Sequence, residues 1–405
     1  MSGTLAEKLQ SESDASGLRI VGHTDLGGHG DCMHVEVRDG LAYVGHMGGD
    51  RIGTSVVDVS DPTAPRVVTQ LTSPPGTHTH KVQVAGDVLL VNHEQNFLEP
   101  DAPTWSAGLA VYDLADPERP ERIAFHPTPG KGVHRMTYTS APYAYVTGSD
   151  EGYDDQFLLI LDLGDPRHPV EAGRWWVPGM REGETRTWPE HRRAALHHAV
   201  VRGDRAYATW WDLGMFVLDV SDPARPRPIG HLALDEAESG CTHTALPLPG
   251  RDVLVLVDEA MSPHGPHGRM NGISAASRNA PKLIRTVDIS DETAPAVIAT
   301  VPEPVGGFRA RAGRFGPHNL HEMGPGTFQS SRYVHATYFN AGLRVYDLLD
   351  PARPREIAHL VPPPAPGAEA IQLNDLTVAP DGLIYATDRS GGGLYIVAPE
   401  IDLTD

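Results

Sequence analysis

Val217–Pro226 reads VLDVSDPARP, and five other stretches repeat its pattern: VVDVSDPTAP (56–65), VYDLADPERP (111–120), ILDLGDPRHP (160–169), TVDISDETAP (286–295) and VYDLLDPARP (345–354). Each is an apolar run ending in Asp, then an Asp-Pro turn, then a second apolar run. Short aliphatic and aromatic runs favour extended backbone. Asp-Pro opens a turn, because proline presets φ while the Asp side chain bonds the backbone ahead. The phrase therefore predicts a β-hairpin, written six times. The Asp before each turn stands at 58, 113, 162, 219, 288 and 347, at intervals of 55, 49, 57, 69 and 59 residues, close to one propeller blade once loop insertions are allowed.

Two more strand-like runs precede each hairpin. They start at His34 and Leu41, His80 and Val88, His134 and Tyr143, His197 and Arg205, His243 and Val253, and His318 and Tyr333. Four strands per unit follow. A seventh unit supplies only Asn374–Val378, Leu383–Ala386 and Leu394–Val397, and its missing strand is expected from Leu18–His23. An N-terminal strand that completes the last blade joins the ends of the ring and removes open sheet edges. The expectation is an all-β, seven-bladed propeller of four-stranded blades. One domain is expected over 18–405, with blades at about 34–71, 80–126, 134–177, 197–234, 243–301, 318–361 and 371–399 plus 18–23, preceded by a flexible arm at 1–17.

The D-[VLI]-x-D-P-x-x-P hairpin resembles that of the LVIVD-repeat β-propellers, over residues 18–399. Blade five departs from it with Glu292 in place of proline, and blade seven lacks the turn. The resemblance implies a fold and no particular activity.

Composition agrees. A chain of 405 residues with 42 Gly and 36 Pro suits a turn-rich β protein, and a net charge of −20 argues against nucleic acid or an anionic membrane as partner. No apolar run reaches the roughly 20 residues of a membrane helix, and no leader pattern opens the chain, so a cytoplasmic protein is expected. Two cysteines, Cys32 and Cys241, build no disulfide framework. Each lies two residues before a histidine, which makes a thiolate ligand conceivable beside a purely structural role.

Function should lie in what the repeats share beyond folding. The first strand of a blade lines the channel, and six begin at histidine: His34, His80, His134, His197, His243, and His318 or His321. Residues three apart on a strand face opposite sides, so only one of the last two is expected at the axis. Blade seven offers Asn374 and Asp375. The ends of the second strands add His46, His93, Glu94, Asp150, Glu151, Trp211, Asp212, Asp258, Glu259, Tyr338 and Asp388 at the same mouth. Neutral imidazole is the commonest metal ligand, so a divalent Zn, Mn, Fe, Ni or Cu ion on the histidines is expected, with His93, Glu94, Asp258 or Glu259 moving protons.

Four insertions, at 96–106, 173–196, 258–282 and 301–317, fall on the same face, where a lid or binding wall is expected. Arg181, Arg186, Trp188, Arg309, Arg311 and Arg314 within them suit capture of a small polar or anionic substrate. His264 and His267 lie in the third. The chain has no phosphate-cradling loop, dinucleotide glycine motif or nucleophile elbow. Two functions follow: a metal-dependent enzyme, with lyase or hydrolase chemistry ahead of isomerase or oxygenase, or a non-catalytic scaffold for protein partners.

Overall fold

The computed structural model describes residues 4–48, 51–139, 141–261 and 278–405. Seven antiparallel blades surround one axis. Blade 1 is Cys32–Arg38, Leu41–His46, Ile52–Asp58 and Arg66–Thr72, paired in that order from axis to rim. Blade 4 repeats it with Leu196–Arg202, Arg205–Trp210, Gly214–Asp219 and Arg227–Leu232. Blade 7 is Leu373–Val378, Ile384–Asp388 and Gly393–Pro399, closed at the rim by Leu18–Thr24, as the sequence predicts.

The arm expected at 1–17 folds over much of its length. Helix Leu5–Glu12 is capped at Thr4 by a reciprocal box with Glu7, and Asp14–Ser16 adds a strand to the rim of blade 6. The inner segment of that blade is reduced to a bridge between Leu320 and Ala336. Among the described residues no helix is long and apolar enough to cross a membrane.

The Asp-Pro turn forms for local reasons and serves a non-local one. Asp219 Oδ1 accepts from the Ser221 N–H and hydroxyl, and its other oxygen accepts from Arg227, so one side chain closes the hairpin. The turn then packs on the preceding blade. Tyr43 donates to Pro117 O and Thr286 to Pro351 O. At Gly230 a Cβ would stand 2.0 Å from the Glu292 carbonyl oxygen, so only glycine lets the turn approach. Glu292, the odd residue of the fifth turn, receives Arg205 (2.6 Å) and Tyr207 of blade 4. Between blades the cores are apolar, as where Met215 and Val217 meet Leu254, Leu256 and Val287.

Candidate metal and substrate site at the propeller axis

The inner strands do not keep a plain alternation. In blade 4 the pairing slips one residue between Leu196 and His198, in blade 5 between Thr242 and Thr244, in blade 7 between Leu373 and Asp375, and in blade 1 between Cys32 and His34. Blade 2 does the same, since His78 opposes Glu94 while Val82 opposes Val91. Each slip is a β-bulge, which leaves one extra residue unpaired on the inner strand and re-aims its side chain. The extra residues are Met33, His197, His243 and Asn374, and His80, His134 and His318 occupy the matching places in the other blades.

Threonine or asparagine at the end of the second strand fixes the bulges. Asn92 Oδ1 accepts from Lys81 N–H (2.7 Å), and Thr147 Oγ1 from His134 and Arg135 N–H. Thr209 donates to His243 O and Thr337 to Asn374 O, so each reaches into the next blade.

The bulges produce two stacked circles. The upper is Met33, His80, His134, His197, His243, His318 and Asn374. The lower, one residue later, is His34, Lys81, Arg135, His198, Thr244, Asn319 and Asp375. Upper-circle imidazoles form a continuous arc, with ring centroids 4.9 Å apart from His80 to His134 and from His134 to His197, 3.9 Å from His197 to His243 and 4.6 Å from His243 to His318. His78, which sequence reasoning did not single out, adds a ring 4.4 Å from His80. Its signal was the alternation in Thr77-His-Thr-His80.

The arc borders a cavity of about 720 Å³, also lined by Glu94, Phe97, Leu98, Gln156, Arg193, Trp211, Glu259, Met261, Arg314 and Arg389. Its floor is charged: buried Arg135 donates to Asn319 Oδ1 (2.6 Å) and Glu322 Oε1 (3.2 Å), and Lys81 Nζ lies 2.8 Å from Asp375 Oδ2. A second cavity opens on the far face, and His34 and His321 line that one. Both therefore leave the expected metal set. His34 misses the upper circle because the bulge gives that position to Met33, and His321 accepts from Val378 N–H and donates to Phe328 O.

Hydrogen bonding sets the tautomers, because carbonyls and ionised carboxylates only accept. Burial alone would raise the Glu94 carboxyl, but its His134 and His78 partners, which donate hydrogen bonds to it, outweigh that and hold the group below the ordinary carboxylate range. Glu94 Oε2 thus accepts from His134 Nδ1 (2.7 Å) and His78 Nε2 (2.9 Å). His197 Nδ1 donates to His243 O (2.8 Å), and His318 Nδ1 to Asn374 O (2.7 Å).

Each of these three rings presents a bare Nε2, the arrangement in which metal-bound histidine is usually held. The bare nitrogens of His134 and His197 are 3.1 Å apart, a contact that needs a proton or a cation. A second proton is disfavoured, since burial pushes the His197 pKa well below 6.5; burial does the same to His243 and His318. Ligand atoms of His197, His243 and Glu259 lie within 4.8 Å of one another. The donor set fits a divalent transition metal.

His78, His80 and Glu94 are equally close together but chemically different. Asn92 is oriented by Lys81 N–H and Val133 O, so its Nδ2 donates to His80 Nδ1 (3.1 Å) and the proton of neutral His80 sits on Nε2. That N–H is buried and has no partner among the described residues. His80 offers the cavity a donor, not a lone pair.

Among the other expected residues, Glu94, Glu259 and Arg314 reach the cavity. His93 and Asp258, their strand neighbours, point the other way: His93 bonds Ser106, and Asp258 is buried against Arg285 and Ser239. Arg181 lies over Trp176, Arg186 pairs with Asp154 beside Trp188, Arg309 pairs with Glu303, and Arg311 lies over Phe308. These stand outside the cavity because acidic and aromatic neighbours hold them. Cys32 and Cys241 are buried, form no disulfide and do not line it. His264 and His267 lie outside the described residues.

A model of the LVIVD repeat matches residues 29–72 and 198–232. No curated protein matches the chain. Among solved structures, the Cps50 (Swd1) β-propeller domain of Myceliophteria thermophila is similar at 12% identity and TM-score 0.55, over 96% of this chain and 100% of that one. The N-terminal domain of Nup159 is similar at 11% identity and TM-score 0.53, over 94% and 95%. At such identities the likeness concerns the fold. The chain is a seven-bladed β-propeller that contains LVIVD repeats.

Proposed function

We propose that this protein is a cytoplasmic metal-dependent enzyme, a lyase or hydrolase, acting on a small polar or anionic molecule in the histidine-lined cavity. The observation that carries the reading is the facing pair of bare nitrogens on His134 and His197, continued by His243 and His318. Those four histidines would hold a divalent Zn, Mn, Fe, Ni or Cu ion. Such an ion supplies Lewis-acid polarisation of a carbonyl or a water of lowered pKa.

The chain's own groups do the rest. Glu259 Oε1 lies 3.5 Å from His318 Nε2 and 3.2 Å from Arg314 Nη1, placed to take up or return a proton at the substrate. Glu94 stays ionised and keeps His134 in its tautomer. Trp211, Phe97 and Leu98 line the cavity with apolar surface, which would exclude water around a bound molecule. The partner is a small molecule, with neither nucleic acid nor membrane involved.

Elemental analysis of protein purified without tag or chelator tests this. About one transition-metal equivalent per chain is expected, lost in His197→Asn/His243→Asn. Metal-free protein whose melting temperature ignores both chelator and added metal refutes it. A non-catalytic scaffold is the second reading, favoured by the exposed apolar side chains of Leu98 and Trp105 beside the mouth. It expects a co-purifying partner that the double histidine variant still retains.

A further inference from the structure

The histidine arc is incomplete, and its gap has a chemistry of its own. Blades 7 and 1 place Asn374 and Met33 where their neighbours place imidazoles. Asn374 Oδ1 accepts from Arg389 Nη1 (3.2 Å), and Arg389 Nη2 rests on Met47 Sδ of blade 1 (3.8 Å). The guanidinium thus fills the sector that the histidines leave open, and it lines the same cavity as His80, Lys81 and Arg314.

Charge balance in the cavity is the reverse of that in the chain. Lys81, Lys131, Arg135, Arg193, Arg314 and Arg389 line it, against Glu94, Glu259 and Asp101. Most of the buried cations have a carboxylate: Lys81 has Asp375, Arg135 has Glu322, Arg193 has Asp155 and Arg314 has Glu259. Among the described residues the Arg389 guanidinium hydrogen-bonds only the Asn374 amide and the Met47 thioether, while Glu259 and Asp388 act on it through their charges without an ion pair. Burial, with the nearby Arg314 charge, pushes its pKa down to about 9, so it remains charged at neutral pH in surroundings that disfavour the charge. On the other flank of the gap, the buried His80 Nε2–H also lacks an acceptor among the described residues. An oxyanion between them would satisfy both, since planar bidentate donors suit carboxylate and phosphate alike.

We infer that the sector from Arg389 past Met33 to His80 is an oxyanion subsite, which holds a carboxylate or phosphate of the substrate beside the four-histidine arc. The inference rests on reading this cavity as a substrate site but needs no metal. The arginines of the rim loops, engaged with their own neighbours, have no part in it.

Calorimetric titration of chelator-treated protein at low ionic strength, with malonate and separately with inorganic phosphate, tests it. Binding of at least one anion is expected, and the tighter one identifies the group. Arg389→Gln should weaken it by about tenfold or more and Arg389→Lys by less, as expected for loss of a charge-assisted pair. Binding of neither anion, or equal binding by Arg389→Gln, overturns the subsite. Should Arg389→Gln not fold, phenylglyoxal labelling of the wild-type protein decides: the anion is expected to slow modification of Arg389, and an unchanged rate refutes the proposal. Protein that carries no metal when purified without tag or chelator, yet binds the anion through Arg389, would overturn the metal reading and leave this one standing.

Discussion

Glu94 accepts from two histidines with one oxygen, so its charge sets the tautomer of the ring that begins the metal-facing arc. Glu94→Gln replaces that acceptor with a weaker or reversed partner. Competition titration against a chromophoric chelator should then show metal affinity reduced about 10–100-fold, the usual effect of losing an outer-shell carboxylate. On the far side of the floor, Glu36 behaves in the opposite sense. Burial, reinforced by the Glu322 and Asp375 charges, lifts its pKa from 4.5 to about 8. The folded protein therefore keeps a proton that the unfolded chain releases, and this contribution to stability is complete below pH 4.5 and lost as pH rises through 8. Glu36→Gln should gain stability over the wild type progressively across that window in urea unfolding. An unchanged difference between pH 4 and pH 9 would exclude it.

At the scale of the hairpin, the sequence was a good guide to strands and a poor one to facing. The Asp-Pro phrase announces itself because its turn chemistry is local. Its contact with the preceding blade was not legible, since the glycine that admits it lies in another unit. Gly230→Ala should cost roughly 3 kcal/mol or more in chemical denaturation, because a Cβ 2.0 Å from the Glu292 oxygen must push the turn away. The bulges were invisible for a related reason. Simple alternation assigns His34 to the upper circle, whereas one extra residue gives that place to Met33 and drops His34 below it. His197 and His198 both face the channel for the same reason, where alternation would send one to each side. The recurring Asn92, Thr147, Thr209, Thr337 and Thr387 were the legible trace, as residues that grip a bulge backbone.

For the whole molecule, repetition made the architecture readable, including closure by Leu18–Thr24. Removing residues 1–24 takes away the rim strand of blade 7 and exposes the edge of Gly393–Pro399. Such a truncation should elute as aggregate or lose its cooperative melt, and a monomer with wild-type melting would show that closure matters little. The site was less readable, because its cations and tautomers depend on residues brought together across blades: Arg389 had no marker in the sequence.

The carbonyl of a bulge steers the imidazole of the blade before it, as His243 O steers His197 and Asn374 O steers His318. Each such bond ties the site geometry of one blade to the backbone of the next. A change to the backbone at Asn374 would be felt at His318, one blade back, and also at Met33, one blade forward, whose carbonyl accepts from Asn374 Nδ2 (2.6 Å). Mutational effects on neighbouring blades should accordingly be non-additive.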